Sequence, residues 1–158
     1  MEKMLISGVA KDNDVARISV IGVPDKPGLA FKIFSQLAAK KVNIDIILQS
    51  VGRDNTKDIT FTVPQAMLKE ALAISESYAE KSGAISVQYD ENVSKVSIVG
   101  AGMETHHGVA SDMFEALYDS NINIQMISTS EIKISVLISA NDADHAVNAI
   151  HNKFFGEE

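Results

Sequence analysis

The sequence predicts an α+β protein built from two βαββαβ units, an arrangement known as ferredoxin-like. Three observations lead to this prediction. Apolar residues alternate as in strands and form stripes as in helices, in that order, between residues 15 and 89. The same motifs then recur 78 to 80 positions later. Finally, 46% of the 158 residues are hydrophobic, which is enough to form a folded core.

The first unit begins with a strand, a tight turn and a helix. Residues 15–23 read as the strand, and the turn Pro24-Asp25-Lys26-Pro27-Gly28 follows. Pro27 suits the first helical position, where its missing N–H costs nothing. Apolar residues then recur at helical spacing between residues 28 and 40, at Ala30, Ile33, Phe34, Leu37 and Ala38.

The rest of the first unit alternates strand, strand, helix and strand. Residues 42–49 predict a strand that directs Val42, Ile44, Ile46 and Leu48 to the core and Asn43, Asp45, Ile47 and Gln49 to the other face. Residues 51–57 form a turn-rich loop before an alternating strand over 58–63. Pro64 opens a helix that ends near Gly83, and a strand over 85–89 closes the unit.

The second unit repeats this order. Residues 95–100 match residues 17–22, and the helix and strand positions Gly28, Phe34, Leu37, Asn43 and Ile44 correspond to Gly108, Phe114, Leu117, Asn123 and Ile124. The second strand alternates Ile122, Ile124 and Met126 against Asn121, Asn123 and Gln125. A strand over 132–138 follows, and Asn141 is a predicted cap for the last helix.

The second unit lacks a closing strand, whereas the chain has one strand too many at its start. We therefore predict that Met4–Ala10 completes the second unit and that the first unit is inserted within it. The predicted domains are residues 14–92 and residues 93–158 plus 1–12. Their boundaries fall in the polar segments 11–14 and 91–94.

Composition excludes several classes of function. The 21 acidic and 14 basic residues give a net charge of −7, which disfavours nucleic acid and anionic membranes as partners. There is no cysteine, hence no disulfide framework, and no apolar run approaches the ~20 residues of a membrane span. We expect a cytoplasmic protein.

The turn at residues 24–28 has two interpretations. Asp25 could cap the following helix. Alternatively, Asp25 could bind the ammonium of a small zwitterion while the unpaired N–H groups of Gly28, Leu29 and Ala30 receive its carboxylate.

Several motifs together resemble a pair of ACT domains, and more closely the C-terminal regulatory region of aspartate kinase. They are Gly22–Gly28, Asn43–Gln49, Lys57–Thr62, Val96–Met103 and Ile127–Ser135. Members of that family phosphorylate the side-chain carboxylate of aspartate with ATP, and the regulatory region carries feedback inhibition by lysine, threonine or both. The kinase domain itself is not matched, no catalytic residue is predicted and no cofactor is expected. The resemblance implies a regulatory subunit or an excised fragment that associates with a catalytic domain or subunit.

The resemblance also implies an effector site, formed where the turn of one unit meets the second strand of another across a homodimer. The positions carried over are Asp25, Lys26, Pro27, Gly28, Ala30, Asp45, Gln49, Asn121, Asn123, Ile124 and Ser130. The second turn, Gly102–Gly108, lacks both prolines and the aspartate, so we expect no equivalent pocket there.

Other interpretations are weaker. Adjacent histidines such as His106 and His107 rarely converge on one metal ion, and no metal site is predicted. Phe61 lies on the apolar face of its strand, and no basic-aromatic strand motif points to RNA. A dimerisation or docking module with a vestigial pocket, or a regulator of another amino-acid pathway, remains the alternative.

Overall fold

A computed structural model of the protein describes residues 6–100 and 108–156. This part of the chain has an α+β fold with eight strands and four helices. The strands are β1 (Ile6–Asp12), β2 (Ala16–Pro24), β3 (Ile47–Val51), β4 (Thr56–Val63), β5 (Ser86–Asp90), β6 (Val93–Gly100), β7 (Met126–Thr129) and β8 (Lys133–Ser139). The helices are α1 (Leu29–Ala39), α2 (Leu68–Ser82), α3 (Gly108–Asp119) and α4 (Ala143–Phe155).

The strands form two four-stranded antiparallel sheets, in the orders β3-β4-β2-β5 and β1-β6-β8-β7. The first sheet belongs to a compact unit of residues 14–91, and the second to the unit that joins residues before Asp14 to those after Glu91. β1 is held in the second sheet by β6, with Val9 opposite Ile98 and Asp12 opposite Lys95. Met4 and Leu5, where the predicted first strand begins, lie outside the described residues.

Each unit has its own apolar core between its sheet and its helices, as amphipathic elements require. In the unit of residues 14–91, Phe61 is completely buried and its ring meets that of Phe34 edge to face, with centroids 5.7 Å apart. The core residues at its centre are Ile18, Val20, Ile33, Leu37, Ile59 and Phe61, and those of the other unit are Ile98, Met113, Leu117, Val136, Ile138 and Ile150.

The prediction of a strand over residues 42–49 is wrong in two ways: the strand begins later, and its side chains point to the opposite faces of the sheet. β3 begins at Ile47, because the residues before it bond to β4 irregularly: Ile46 N–H donates to the Thr62 hydroxyl at 3.0 Å. Within β3, Gln49 pairs with Ile59 and therefore lies on the helix-covered face of the sheet. Leu48 lies on the opposite face and is 41% exposed, so it is not a core residue.

The second unit shows the same departure. β7 begins at Met126, and the preceding residues from Asn121 lie in a turn and an irregular segment rather than a strand. Asn121 itself has a positive φ of 58° at the end of α3, which suits an asparagine. The predicted cap at Asn141 is also wrong, because Asn141 lies inside a single 3₁₀ turn and α4 begins only at Ala143.

A β-bulge in β2 positions the turn that follows. The pairing register of β2 with β4 shifts between Val20 and Val23. Gly22 adopts a positive φ of 69° within this bulge, a conformation that favours glycine. Its N–H donates to the carboxylate of Asp58 at 2.9 Å, which satisfies a donor that the ladder leaves out. The bulge thereby fixes how β2 leaves the sheet.

Candidate functional site

The turn after β2 is tied to the hairpin between β3 and β4. Pro24 pairs with Thr56 across the strands, and the N–H of Asp25 donates to the carbonyl of Asn55 at 2.7 Å. Asp54 and Asn55 hold positive φ angles of 56° and 61°, as asparagine and aspartate in tight turns do. The turn is therefore supported by a hydrogen-bonded hairpin rather than standing alone.

The start of α1 is not capped by Asp25. The N-cap residue is Gly28, with a φ of 88° and no side-chain capping bond. Pro27 precedes the cap, so the prediction that it takes the first helical position is also wrong. Leu29 N–H donates to the Lys26 carbonyl at 3.4 Å, but the N–H groups of Gly28 and Ala30 have no acceptor among the described residues. These amides at the helix start thus remain open to a ligand.

The carboxylate of Asp25 instead faces a lysine that sequence reasoning missed. Lys57 Nζ lies 3.6 Å from Asp25 Oδ1, an ion pair too long for a hydrogen bond. The Lys57 side chain is only 17% exposed, whereas that of Asp25 is 63% exposed. A sequence signal existed: Lys57 continues the inward alternation of Ile59 and Phe61, so a charge occupies a core-facing position.

Of the other candidates of this unit, all but Asp45 lie in or near the same turn. Lys26, Pro27 and Gly28 are exposed and Ala30 is half-buried in the first turn of α1. Gln49 lies on the face of the sheet that also bears Lys57, because Val51 pairs with Lys57 and Gln49 is two positions along the strand. Asp45 is exposed in the irregular segment before β3, and its N–H donates to the Thr62 carbonyl at the end of β4 away from the turn.

The candidates from the second unit lie within their own unit. Asn121 and Asn123 are exposed in the segment between α3 and β7, and Ile124 is half-buried against the core. Ser130 directly follows β7, and its N–H donates to the Lys133 carbonyl at 2.8 Å. The turn preceding α3, including His106 and His107, lies outside the described residues.

A buried tyrosine fixes the start of α1 from the other side. Tyr78 of α2 donates its hydroxyl hydrogen to the Leu29 carbonyl at 2.8 Å. Burial raises the pKa of Tyr78 above its usual value of 10.0, because a phenolate would lose hydration there. The hydroxyl therefore stays a donor, and the end of the helix nearest the candidate site is held in place.

The described residues also give two negative findings. They contain no group of three or more acidic, histidine or cysteine side chains that could hold a metal ion. In the same segments, no helix combines the length and the apolar character needed to cross a membrane.

The two units share one architecture, a four-stranded antiparallel sheet with two helices, which points to a single class of domain. The family model of the ACT domain matches residues 18–77 and 96–154, one match in each unit. The chain belongs to the ACT-domain family. Its two ACT domains in tandem match the regulatory region of aspartate kinase over most of the chain.

Individual relatives make this match specific. An aspartate kinase of Stutzerimonas stutzeri is 51% identical over 154 residues, which cover 98% of this chain and 37% of the relative. The regulatory subunit of aspartate kinase from Thermus thermophilus, in a ligand-free form, superposes with a TM-score of 0.90 at 39% identity. That match covers 95% of this chain and 99% of the other. A structure of aspartokinase alpha and beta subunits gives a TM-score of 0.88 at 44% identity, covering 94% of this chain and 98% of that one.

The chain spans about 37% of the length of the first of the curated relatives that it matches. Its resemblance to the regulatory subunit covers nearly all of that subunit.

Proposed function

We propose that this chain is an amino-acid-binding allosteric module of aspartate kinase and mediates feedback inhibition by lysine, threonine or both. Its length relative to the kinases, and its near-complete match to a regulatory subunit, support a role beside a catalytic domain or subunit. We further propose that the first ACT domain is inserted into the second, in line with the pairing of β1 and β6. The proposed boundaries remain 14–92 and 93–158 plus 1–12.

The observation that carries this proposal is the chemistry of the turn after β2. Asp25 is not consumed by capping, so its exposed carboxylate is available to an ammonium group. The N–H groups of Gly28 and Ala30, which lack acceptors in the described residues, suit a carboxylate at a helix start. A free amino acid carries both groups, whereas a purely anionic or purely cationic ligand would use only one side of the turn.

The rest of the site would come from further residues of this domain and from the second domain of a partner chain. We propose that Gln49 completes the side nearest the turn, that Asp45 contributes from the other end of the same domain, and that Asn121, Asn123, Ile124 and Ser130 of a partner chain close the site. A homodimer then gains complete sites from unlike halves by two-fold pairing. An effector bound there needs to favour one dimer arrangement over another by only ~1–3 kcal/mol to shift the equilibrium between active and inhibited states of an attached kinase.

Thermal melting with added amino acids tests the function. At a ligand concentration 100 times Kd, linkage adds about 2.7 kcal/mol, which for a chain of this size corresponds to a melting temperature about 5–10 °C higher. We expect that rise with L-lysine or L-threonine and none with their D-enantiomers, which would place one group wrongly. A flat response to all twenty L-amino acids would contradict the proposal.

A docking module with a vestigial pocket is favoured by one feature, the apolar edge formed by β3. Ile47, Leu48 and Val51 are all exposed on this edge strand, and such edges pair with other strands unless they are covered. We expect Leu48→Lys to shift the chain from dimer towards monomer in sedimentation velocity, because it places a charge on that edge. The matched variant Phe31→Lys changes an exposed helix position and should leave the dimer intact. Monomeric wild-type protein at high concentration would contradict the pairing.

A further inference from the structure

The ion pair with Asp25 leaves the Lys57 ammonium without a hydrogen-bond acceptor in the described residues. Enclosing an ammonium is costly unless anions and hydrogen-bond acceptors replace its water. Lys57 is mostly enclosed, yet Asp25 is its only ionic partner in the described residues and lies beyond hydrogen-bond distance. An ammonium has three donor hydrogens. None of them forms a hydrogen bond with a protein acceptor in the described part of the chain, so Lys57 has unused capacity for an anion.

The position of Lys57 places this capacity at the turn. Lys57 lies in β4, where it pairs with Val23 of β2 on one side and with Val51 of β3 on the other. It therefore lies inside the sheet, close to the turn that follows β2. Its inward alternation with Ile59 and Phe61 puts the side chain on the face where α1 packs. That face also bears Gln49 at the sheet edge. The Lys57 ammonium therefore lies on the same face of the sheet as Gln49 and next to Asp25, where the effector is proposed to bind.

Opposite charges at this separation match a zwitterion laid against them. The ammonium of a bound amino acid would contact Asp25, and its carboxylate would contact Lys57. The four charges would then alternate in sign, so that each one lies next to an opposite charge. Water would screen this arrangement less than a surface pair, because the Lys57 stem is enclosed.

We propose that Lys57 is a specificity residue of the effector site and binds the carboxylate of the amino acid, together with the open amides at the start of α1. This inference rests on the proposed function. It adds the requirement that the ligand carry a negative charge, because Lys57 distinguishes a carboxylate from a neutral carboxamide or ester. The backbone N–H groups alone do not impose this requirement.

The test compares each amino acid with its carboxamide, which keeps the ammonium and the side chain but loses the negative charge. Affinities of the full chain for L-threonine, L-lysine and the two amides are measured by calorimetry. Wild type is expected to prefer the acid by about tenfold or more, because a charge-assisted bond is lost with the amide. Lys57→Met, which keeps the length of the stem, should weaken acid binding about tenfold and bring the acid-to-amide ratio close to one.

Two further variants sharpen the result. Lys57→Arg keeps the charge and should retain most of the preference for the acid. Lys69→Met removes an exposed lysine of α2 and should change neither affinity. If Lys57 only positioned Asp25, Lys57→Met would weaken acid and amide equally, and that outcome overturns the inference. Unchanged acid affinity in Lys57→Met also overturns it and leaves the proposed function standing, whereas failure of wild type to bind any amino acid overturns both.

Discussion

Asp25→Ala is expected to abolish measurable binding of L-lysine and L-threonine, with affinity falling tenfold or more, and to leave the fold intact. The carboxylate is the acidic group that the turn offers to an ammonium, and charge-assisted hydrogen bonds are each worth about 1.5–3 kcal/mol. We expect a small loss of stability, because the enclosed Lys57 ammonium loses its anion, but the domain should stay folded, since Asp25 makes no capping bond and is itself largely exposed. Calorimetry measures the affinity, and a thermal melt measures the stability.

The control for this variant is Glu76→Ala, which removes an exposed acid from α2 and changes the net charge by the same amount. It should bind both amino acids as wild type does. Asp25→Asn keeps the shape of the side chain and should lose most of the affinity too, since the negative charge is what attracts the ammonium. Unchanged affinity of Asp25→Ala for both amino acids would show that the turn is not the effector site.

Phe61→Ala is expected to lower the free energy of unfolding by about 3–5 kcal/mol, more than any other substitution proposed for this chain. Phe61 is completely buried between the sheet and α1, and its ring contacts Phe34 edge to face. The substitution removes this contact and leaves a cavity that the surrounding side chains fill only in part. For a unit of this size we expect the melting temperature of residues 14–91 to fall by about 10 °C or more, as measured by calorimetry.

Phe31→Ala is the matched control, because it removes the same side chain from the exposed side of α1. Phe31 is 73% exposed, and the substitution should change the free energy of unfolding by no more than about 0.5 kcal/mol. Equal losses in the two variants would mean that residue 61 does not lie in a packed core.

The sequence predicted those elements whose signals are local. Alternation of Ile18 and Val20 indicated β2, and the stripe through Ile33 and Leu37 indicated α1, because each pattern reports a buried face within a few residues. The two four-stranded sheets followed from the repetition of that order. The turn at Asp25 was found as well, because glycine and proline mark turns wherever they occur.

The features that were missed depend on register between distant strands. Alternation continued through residues 42–46, but the N–H groups of Asp45 and Ile46 bond to the carbonyl and the hydroxyl of Thr62, so the regular pairing of β3 begins only at Ile47. This shift moved Gln49 to the helix-covered face. Lys57 could not be matched to Asp25 from sequence, because their contact depends on the pairing of β2 with β4 and on the bulge at Gly22. No local pattern encodes such a register.

The pairing of β1 with β6 has a consequence for synthesis of the chain. β1 leaves the ribosome before the other described strands, and its partner β6 follows some 80 residues later, which takes about 4–16 s at ordinary translation rates. Residues 14–91 contain all the strand partners of their own sheet and can fold during this interval. The sheet that holds the first strand is thus completed last, and its long-range closure should be the slow step in forming the molecule.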